Sequence, residues 1–307
     1  MREEVIAILC SDIHLQARPP AARAGEPSWW EAMARPLREV AALQAAAGCP
    51  VLIAGDVFDR WNAPPEVINF ALRELPEQCY AVPGQHDLPH HALPDIKRSA
   101  YWTLAETGKL HHLPPGVHEI QTPADPILVG AFPWGVDLQP APPSDLLRLA
   151  LVHRYCWRTG SGYVGAPETH KVAKHLRDLA GYDVAVFGDN HKGFLIDVVQ
   201  SGPVVMNCGG FMRRTADELT YQPQIGLLLA DGSVVRHALD CSSDVMERPQ
   251  AASTEQAASI DAGRFLQELE ALGCSRLDFE AALRHYMEVN HTPAQVRELV
   301  LGAVHER

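Results

Sequence analysis

The sequence predicts an α/β fold with a second, partly antiparallel sheet and a small helical tail, and three observations carry that prediction. Short apolar runs closed by Gly, Pro, Asp or His recur along the first 240 positions. Helix-like stretches fall between them, and beyond Phe194 the pattern turns to strands alone. The runs are Val5–Cys10, Val51–Ala54, Cys79–Val82, Ile127–Phe132, Leu149–Val152, Val184–Phe187 and Val204–Met206. Each is too short for a stable helix and apolar throughout, so each predicts a buried strand. Helices are predicted at Trp29–Ala47, Pro64–Leu75, Asp145–Arg148 and Pro167–Ala180. Pro36 should kink or interrupt the first, whereas Pro64-Pro65 sit where a first helical turn tolerates them.

The strand-only region comprises Phe194–Val199, Val204–Met206, Ile225–Ala230 and Val234–Leu239, the last two joined by the hairpin pair Asp231-Gly232. Residues 241–259 lose periodicity and collect Ser, Ala, Gln, Thr and Pro, which marks a linker. In 260–307 helices return: Phe265, Leu266, Leu269 and Leu272 share a face, and Ser275 with Asp278 and Thr292 with Gln295 make capping boxes. The expected organisation is a catalytic domain over 1–240, the linker, and a helical module that docks a partner or caps the domain.

The chain has 307 residues, 47% of them hydrophobic and 21% charged, enough to bury a full core. Twenty-six Lys and Arg stand against 38 Asp and Glu, a formal charge of −12, which argues against a broad basic face coating nucleic acid. Seven scattered cysteines without a CxxC pair fit reduced thiols. Met1–Leu15 lacks the ordered regions of a secretory signal and no run approaches membrane-spanning length, so a cytoplasmic protein without membrane contact is expected.

Metal-competent side chains fall at the ends of the expected strands. Val5–Cys10 runs out into Asp12-Ile13-His14, Val51–Ala54 into Gly55-Asp56-Val57-Phe58-Asp59-Arg60, and Cys79–Val82 into Pro83-Gly84-Gln85-His86-Asp87. Leu149–Val152 is followed by His153, and Val184–Phe187 by Gly188-Asp189-Asn190-His191. Singly these are weak: an Asp at a strand end caps a turn or helix, and a lone His is more often a satisfied core imidazole. In open α/β sheets, however, ligands collect beyond the carboxyl ends of strands, which would bring all five clusters to one edge. Carboxylates and imidazoles gathered there need cations, and their mixed oxygen and nitrogen atoms suit Mn²⁺, Fe²⁺ or Zn²⁺.

This order of motifs resembles the calcineurin-like metallophosphoesterase superfamily over roughly residues 5–240. Within it, Asp12-Ile13-His14-Leu15, Gly55–Arg60 followed by Pro64-Pro65-Glu66, and Gly84-Gln85-His86-Asp87 are most similar to SbcD-type DNA repair nucleases, phage versions included. Asn207-Cys208-Gly209-Gly210 stands where that family has a glycine turn. The resemblance implies a sandwich of two packed mixed β-sheets flanked by helices, and a two-metal site. Asp12, His14 and His191 would hold the first ion, Asp56 would bridge, and His153 would hold the second with Gln85 and Asp189. Gln85 stands in place of an Asn and Asp189 in place of a His. One longer arm and one short anionic arm describe a shifted, harder second position, favouring Mn²⁺ or Mg²⁺ over Zn²⁺. The rival reading is a second ion bound weakly or only with substrate. Two divalent ions are therefore expected, Mn²⁺ first, with Mg²⁺ or Fe²⁺ as alternatives.

The same resemblance places His86 near the leaving oxygen as general acid or charge stabiliser, with Asp87 orienting its ring. Asp59 either acts on the leaving-group side or caps the helix before Pro64. The implied activity is a metal-dependent DNA phosphodiesterase, exonuclease or endonuclease. Its partner would be an SbcC-like coiled-coil ATPase docked on Phe265–Val304, or a second copy of the chain. A metallophosphatase acting on phosphoprotein or small phosphoesters is the alternative, since Gly55–Arg60 is similar to the protein phosphatase motif apart from Trp61. A scaffold weakened by Gln85 and Asp189 is the third reading. DNA affinity in so acidic a protein must come from metals, a local basic rim and a partner. Arg154, Trp157, Arg158 and the pair Arg213-Arg214 are rim candidates, although solvated charge is the commoner meaning. Lys171, Lys174, His175 and Arg177 read as a wet helix face, and His90-His91 and His111-His112 as exposed loop residues.

Overall fold

A computed structural model describes residues 4–163, 165–197 and 202–247, together with positions 287, 297 and 301. The chain divides into two units, one of residues 1–162 and 168–249 and one of 163–167 and 250–307. In the second unit the described positions Met287, Arg297 and Leu301 are helical. The module expected at 260–307 and the later part of the linker otherwise lie outside the described residues.

The first unit contains two six-stranded mixed sheets. In the first sheet, β1 (Val5–Cys10), β2 (Val51–Ala54), β3 (Cys79–Val82) and β4 (Leu110–His112) run parallel. The second is built on β5 (Gly116–Ile120), β6 (Ile127–Phe132), β7 (Arg148–His153), β8 (Val184–Gly188), β9 (Phe194–Ile196) and β10 (Val204–Asn207), with β6, β7, β8 and β10 parallel and β5 and β9 antiparallel at the edges. The chain then returns to the first sheet, where β11 (Gln224–Leu229) lies antiparallel beside β1 and β12 (Val234–Ala238) closes the Asp231-Gly232 hairpin.

Alternation along each strand sorts the side chains into layers. Leu52 and Ala54 meet Leu149, Leu151, Val184 and Val186 between the sheets. Val51 and Ile53 face outward under the helices α1 (Trp29–Ala47), α2 (Pro65–Glu74) and α3 (Ala100–Glu106). Ala150, Val152, Ala185 and Phe187 form the opposite outer layer with Leu179 and Tyr182. Register sets the working edge: Ile8 faces Val51, Val51 faces Cys79, and His153 faces Gly188, so neighbouring parallel strands end level.

Several local expectations are corrected. Helix α1 runs unbroken through Pro36. A proline in a helix interior costs about 3 kcal/mol. The stripe Trp29, Ala32, Met33, Leu37 and Val40 buried against the first sheet outweighs it, with Ser28 capping one end and left-handed Gly48 the other. Asp145–Arg148 is not helical; Arg148 opens β7 because its backbone N–H and guanidinium both bond the Asp183 carboxylate. Pro167–Ala180 shrinks to a 3₁₀ turn at Glu168–His170 and α4 (Val172–His175), in which His175 is buried rather than wet. His111 and His112 lie on β4, where His112 meets the Tyr101 hydroxyl.

Candidate metal centre

Every expected cluster falls at the common carboxyl edge, where the chain leaves a strand in a sharp turn. Asp12, His14, Asp56 and Asp189 have φ of 52°, 50°, 55° and 79°. Such left-handed conformations cost of order 1–3 kcal/mol each in non-glycine residues and persist only where the surroundings impose them. Packing is equally tight. A Cβ at Gly55 would collide with the His153 ring, and one at Gly84 with the Asp56 carboxylate and backbone nitrogen. The glycines of the second and third clusters are there because two ligand-bearing loops touch across them.

Asp12, His14 and Asp56 are buried, as is His153. Three groups of side chains bring one potential ligand atom each within 4.8 Å of one another: Asp12, His14 and His191; His14, Asp56 and His86; and Asp12, Asp56 and His153. The Nε2 atoms of His14 and His191 face each other at 3.1 Å, and each lies 3.9 Å from Asp12 Oδ1. Asp56 Oδ2 stands 3.7 Å from His14 Nε2 and 3.5 Å from His153 Nε2. His14 Nδ1 and Asp56 Oδ2 are buried with no hydrogen-bond partner. Buried polar atoms without partners are costly, so converging ligand atoms, with Asp56 Oδ2 among them unmet, fit divalent cations.

The electrostatics agree. Burial pushes the Asp12 carboxyl up to about 6. Burial and the Arg214 charge hold His14 well below the ordinary imidazole value, which keeps it a neutral donor. Burial opposes ionisation of Asp56, but His153 and His86 outweigh it and hold that carboxyl below its usual range.

Gln85 and Asp189, the two departures, touch each other. Gln85 Nε2 donates to Asp189 Oδ1 at 2.6 Å, and Gln85 Oε1 lies 2.6 Å from His153 Nε2. Asp189 belongs to none of the three ligand groups, and its backbone N–H donates to both Asp12 oxygens.

The expected pairing of Asp87 with the His86 ring is corrected. Asp87 accepts from the backbone N–H groups of Val57, Phe58 and Gly84 at 3.0–3.2 Å, locking the second and third loops together. The His86 ring instead donates from Nδ1 to the Asp59 carbonyl oxygen at 2.8 Å, which leaves Nε2 for the site. Asp59 is not a helix cap: the N-cap of α2 is Pro64, and the Asp59 carboxylate lies 3.8 Å from His14 Nδ1 and bonds Arg214.

Two residues, Ser11 and Glu218, escaped sequence reasoning, and two arginines stand otherwise than their commoner reading. Ser11 Oγ donates to Asp12 Oδ2 at 2.5 Å. Glu218 Oε1 lies 3.7 Å from His191 Nδ1 and supports its charge, while Oε2 closes a turn on the N–H groups of Arg214 and Thr215. Arg213 and Arg214, read as solvated, are each held by a carboxylate. The Thr215-x-x-Glu218 capping box was the available signal for this turn. Arg154 and Arg158 are engaged locally, one with Val136 and Asp137 and the other over the Phe194 ring. Six described cysteines are free, and among the described residues no helix is long and apolar enough to cross a membrane.

The profile of the calcineurin-like phosphoesterase family matches residues 7–193, more than half of the chain. No curated protein matches. Among solved structures, an archaeal phosphodiesterase is similar at 15% identity and a TM-score of 0.39, over 76% of this chain and 99% of that one. A sulfate thiohydrolase, SoxB, from Thermus thermophilus in complex with glycerol is similar at 11% identity and a TM-score of 0.47, over 78% of this chain and 57% of that one.

Proposed function

The chain belongs to the calcineurin-like phosphoesterase family of metal-dependent hydrolases, and from that premise we propose that it is a DNA phosphodiesterase, a nuclease of SbcD type. The observation that carries the reading is the overlap of the ligand groups: Asp12, His14 and Asp56 each belong to two of the three. Overlap of this kind is what side-by-side cations require. Asp12, His14 and His191 would hold the first ion, Asp56 would be common to both, and His153, Gln85 and Asp189 would hold or support the second. Two divalent ions bound there supply an activated water and neutralise charge on the phosphate. Mn²⁺ is the proposed ion, with Mg²⁺ or Fe²⁺ as alternatives, given the carboxylate-rich donor set. His86, anchored through Nδ1, turns Nε2 to the site; as the imidazolium it would give its Nε2 proton to the leaving oxygen and return to the neutral ring.

The diester specificity is supported by the motif details that resemble SbcD-type nucleases. Half-buried Trp134 packs edge-on against His153 at 6.4 Å, and Trp61 lies beside His90, aromatic faces on which bases can stack. Arg60, 82% exposed, adds positive charge next to Asp59.

Mn²⁺-dependent digestion of end-labelled single- and double-stranded DNA, beside a model diester and a model monoester, tests the reading. Cleavage of DNA and diester is expected. Hydrolysis of the monoester alone would make the protein a phosphatase, and no metal-dependent turnover would make it a scaffold. The same proposal assigns residues 260–307 to an ATPase partner with a coiled coil; their deletion should abolish that association and spare diester hydrolysis.

A further inference from the structure

The turn after the glycine loop lies beyond the stretch matched by the family profile, yet it reaches the metal centre. Arg213 anchors it: Nε donates to Asp244 Oδ2 at 3.1 Å, and the guanidinium also bonds the carbonyl oxygens of Cys241 and Leu219. Fully buried Arg23 donates to the Arg213 carbonyl oxygen at 2.7 Å and shares Asp244. Glu218 holds the next two N–H groups. The backbone of Arg214 is therefore fixed from both sides.

The Arg214 side chain is held much less completely. One guanidinium nitrogen bonds Asp59 Oδ1, and Nε is buried with no partner. Asp59 Oδ1 lies 3.8 Å from His14 Nδ1, and the Asp59 carbonyl accepts from His86. Arg214 and His86 are thus hung from one residue beside His14. Both partners of this ion pair are partly exposed, and such a pair contributes little to the fold. It leaves the buried Arg214 Nε unmet and sits at the edge of a centre whose substrates carry phosphate. A guanidinium is planar, permanently charged and shaped to grip two phosphate oxygens at once.

We propose that Arg214 is a substrate-binding residue whose guanidinium exchanges the Asp59 carboxylate for the non-bridging oxygens of the scissile phosphate. The inference rests on the phosphoesterase reading but not on DNA as the substrate. Asp59 holds the long side chain in place until the phosphate arrives, which removes part of the ordering cost of binding.

Isothermal titration of the manganese-loaded protein with orthophosphate tests this apart from turnover. Arg214→Ala should raise the dissociation constant for orthophosphate about tenfold or more, the size of one or two charge-assisted hydrogen bonds, without changing manganese content. Added guanidinium should recover part of that loss. Asp59→Asn, which removes the competing charge, should bind orthophosphate at least as tightly as the parent. Arg214→Lys keeps the charge and loses the fork, so it should weaken orthophosphate severalfold and serves where the alanine variant melts early. The proposal is overturned by an orthophosphate affinity that stays within twofold in the Arg214 variants, or by Asp59→Asn weakening it as much as Arg214→Ala does. A parent that takes up no orthophosphate overturns it equally. Digestion of DNA is scored separately, so failure there with the orthophosphate pattern intact would remove the nuclease reading and leave Arg214 in place.

Discussion

His153 Nδ1 donates to the Ala54 carbonyl oxygen at 2.6 Å, and this bond ties the working end of one sheet to that of the other. A carbonyl only accepts, so the proton on Nδ1 is fixed and Nε2 must face the centre. There Nε2 meets Gln85 Oε1 at 2.6 Å, again an acceptor, because the Gln85 amide nitrogen is committed to Asp189. Both ring nitrogens donate, which makes His153 an imidazolium without metal. Burial opposes that charge, but Asp56, Asp12 and Asp189 outweigh it and push His153 up to about 10.

A metal takes only neutral imidazole, so below about pH 10 an ion on His153 must displace its proton. Manganese binding should therefore release protons and tighten as pH rises from 6.5 to 8.5, by up to about tenfold per pH unit for each proton displaced. Calorimetry in buffers of different ionisation enthalpy measures the release directly. Binding with no proton release would remove His153 from the ligand set.

Metal should also stabilise the fold. Its ligands include a buried atom without a hydrogen-bond partner, Asp56 Oδ2. At a hundredfold excess over the dissociation constant, a ligand that binds only the folded state adds about 2.7 kcal/mol, roughly 5–10 °C for a domain of this size. Melting curves with Mn²⁺ and with chelator should differ by that much. In Asp56→Asn the difference should shrink to a small fraction, since that carboxylate is shared by two of the ligand groups.

The strands β1, β2, β3 and β6 keep the boundaries read from sequence because each is an apolar run with little exposure, ended by a residue that must turn. Edge strand β5 escaped because only Ile120 of its five residues is buried, so it carries no apolar pattern to read. Asp12, His14, Asp56, His153 and His191 were legible as candidates from their places at strand ends. Side-chain direction was not: His86 and Asp87 are neighbours in a 3₁₀ turn and point to different partners. Glu218 was hidden, and Arg214 was legible only as a candidate for the rim, because a turn after the last glycines brings both to the centre by tertiary contacts alone.

Gly84→Ala tests whether close packing, rather than ligand identity alone, builds the centre. The added methyl would strike the Asp56 carboxylate and backbone, and overpacking of this kind costs about 1–3 kcal/mol. Stability should fall by that amount, with a larger proportional loss of manganese affinity because the displaced group is a ligand. Gly48→Ala is the control: its Cβ meets nothing within 4 Å and only its left-handed φ of 65° is strained, so it should lose about 1 kcal/mol of stability and no manganese affinity. Equal metal affinity in Gly84→Ala and the parent would refute the argument.

Asp189→Asn separates the two metal positions. Asn tolerates the left-handed backbone at this position and retains an oxygen for the Gln85 amide, so the change removes charge with little else. The backbone N–H that holds Asp12 is untouched. Asp189 supports the charge on His153 and holds Gln85, both on the side assigned to the second ion, whereas Asp12, His14 and His191 form their own group without it. In a manganese titration followed by electron paramagnetic resonance, the weaker step should lose about tenfold, the usual effect of a supporting group, and the tighter step should stay within about twofold. Loss confined to the tighter step would reverse the assignment, and two unchanged steps would show that Asp189 takes no part in holding either ion.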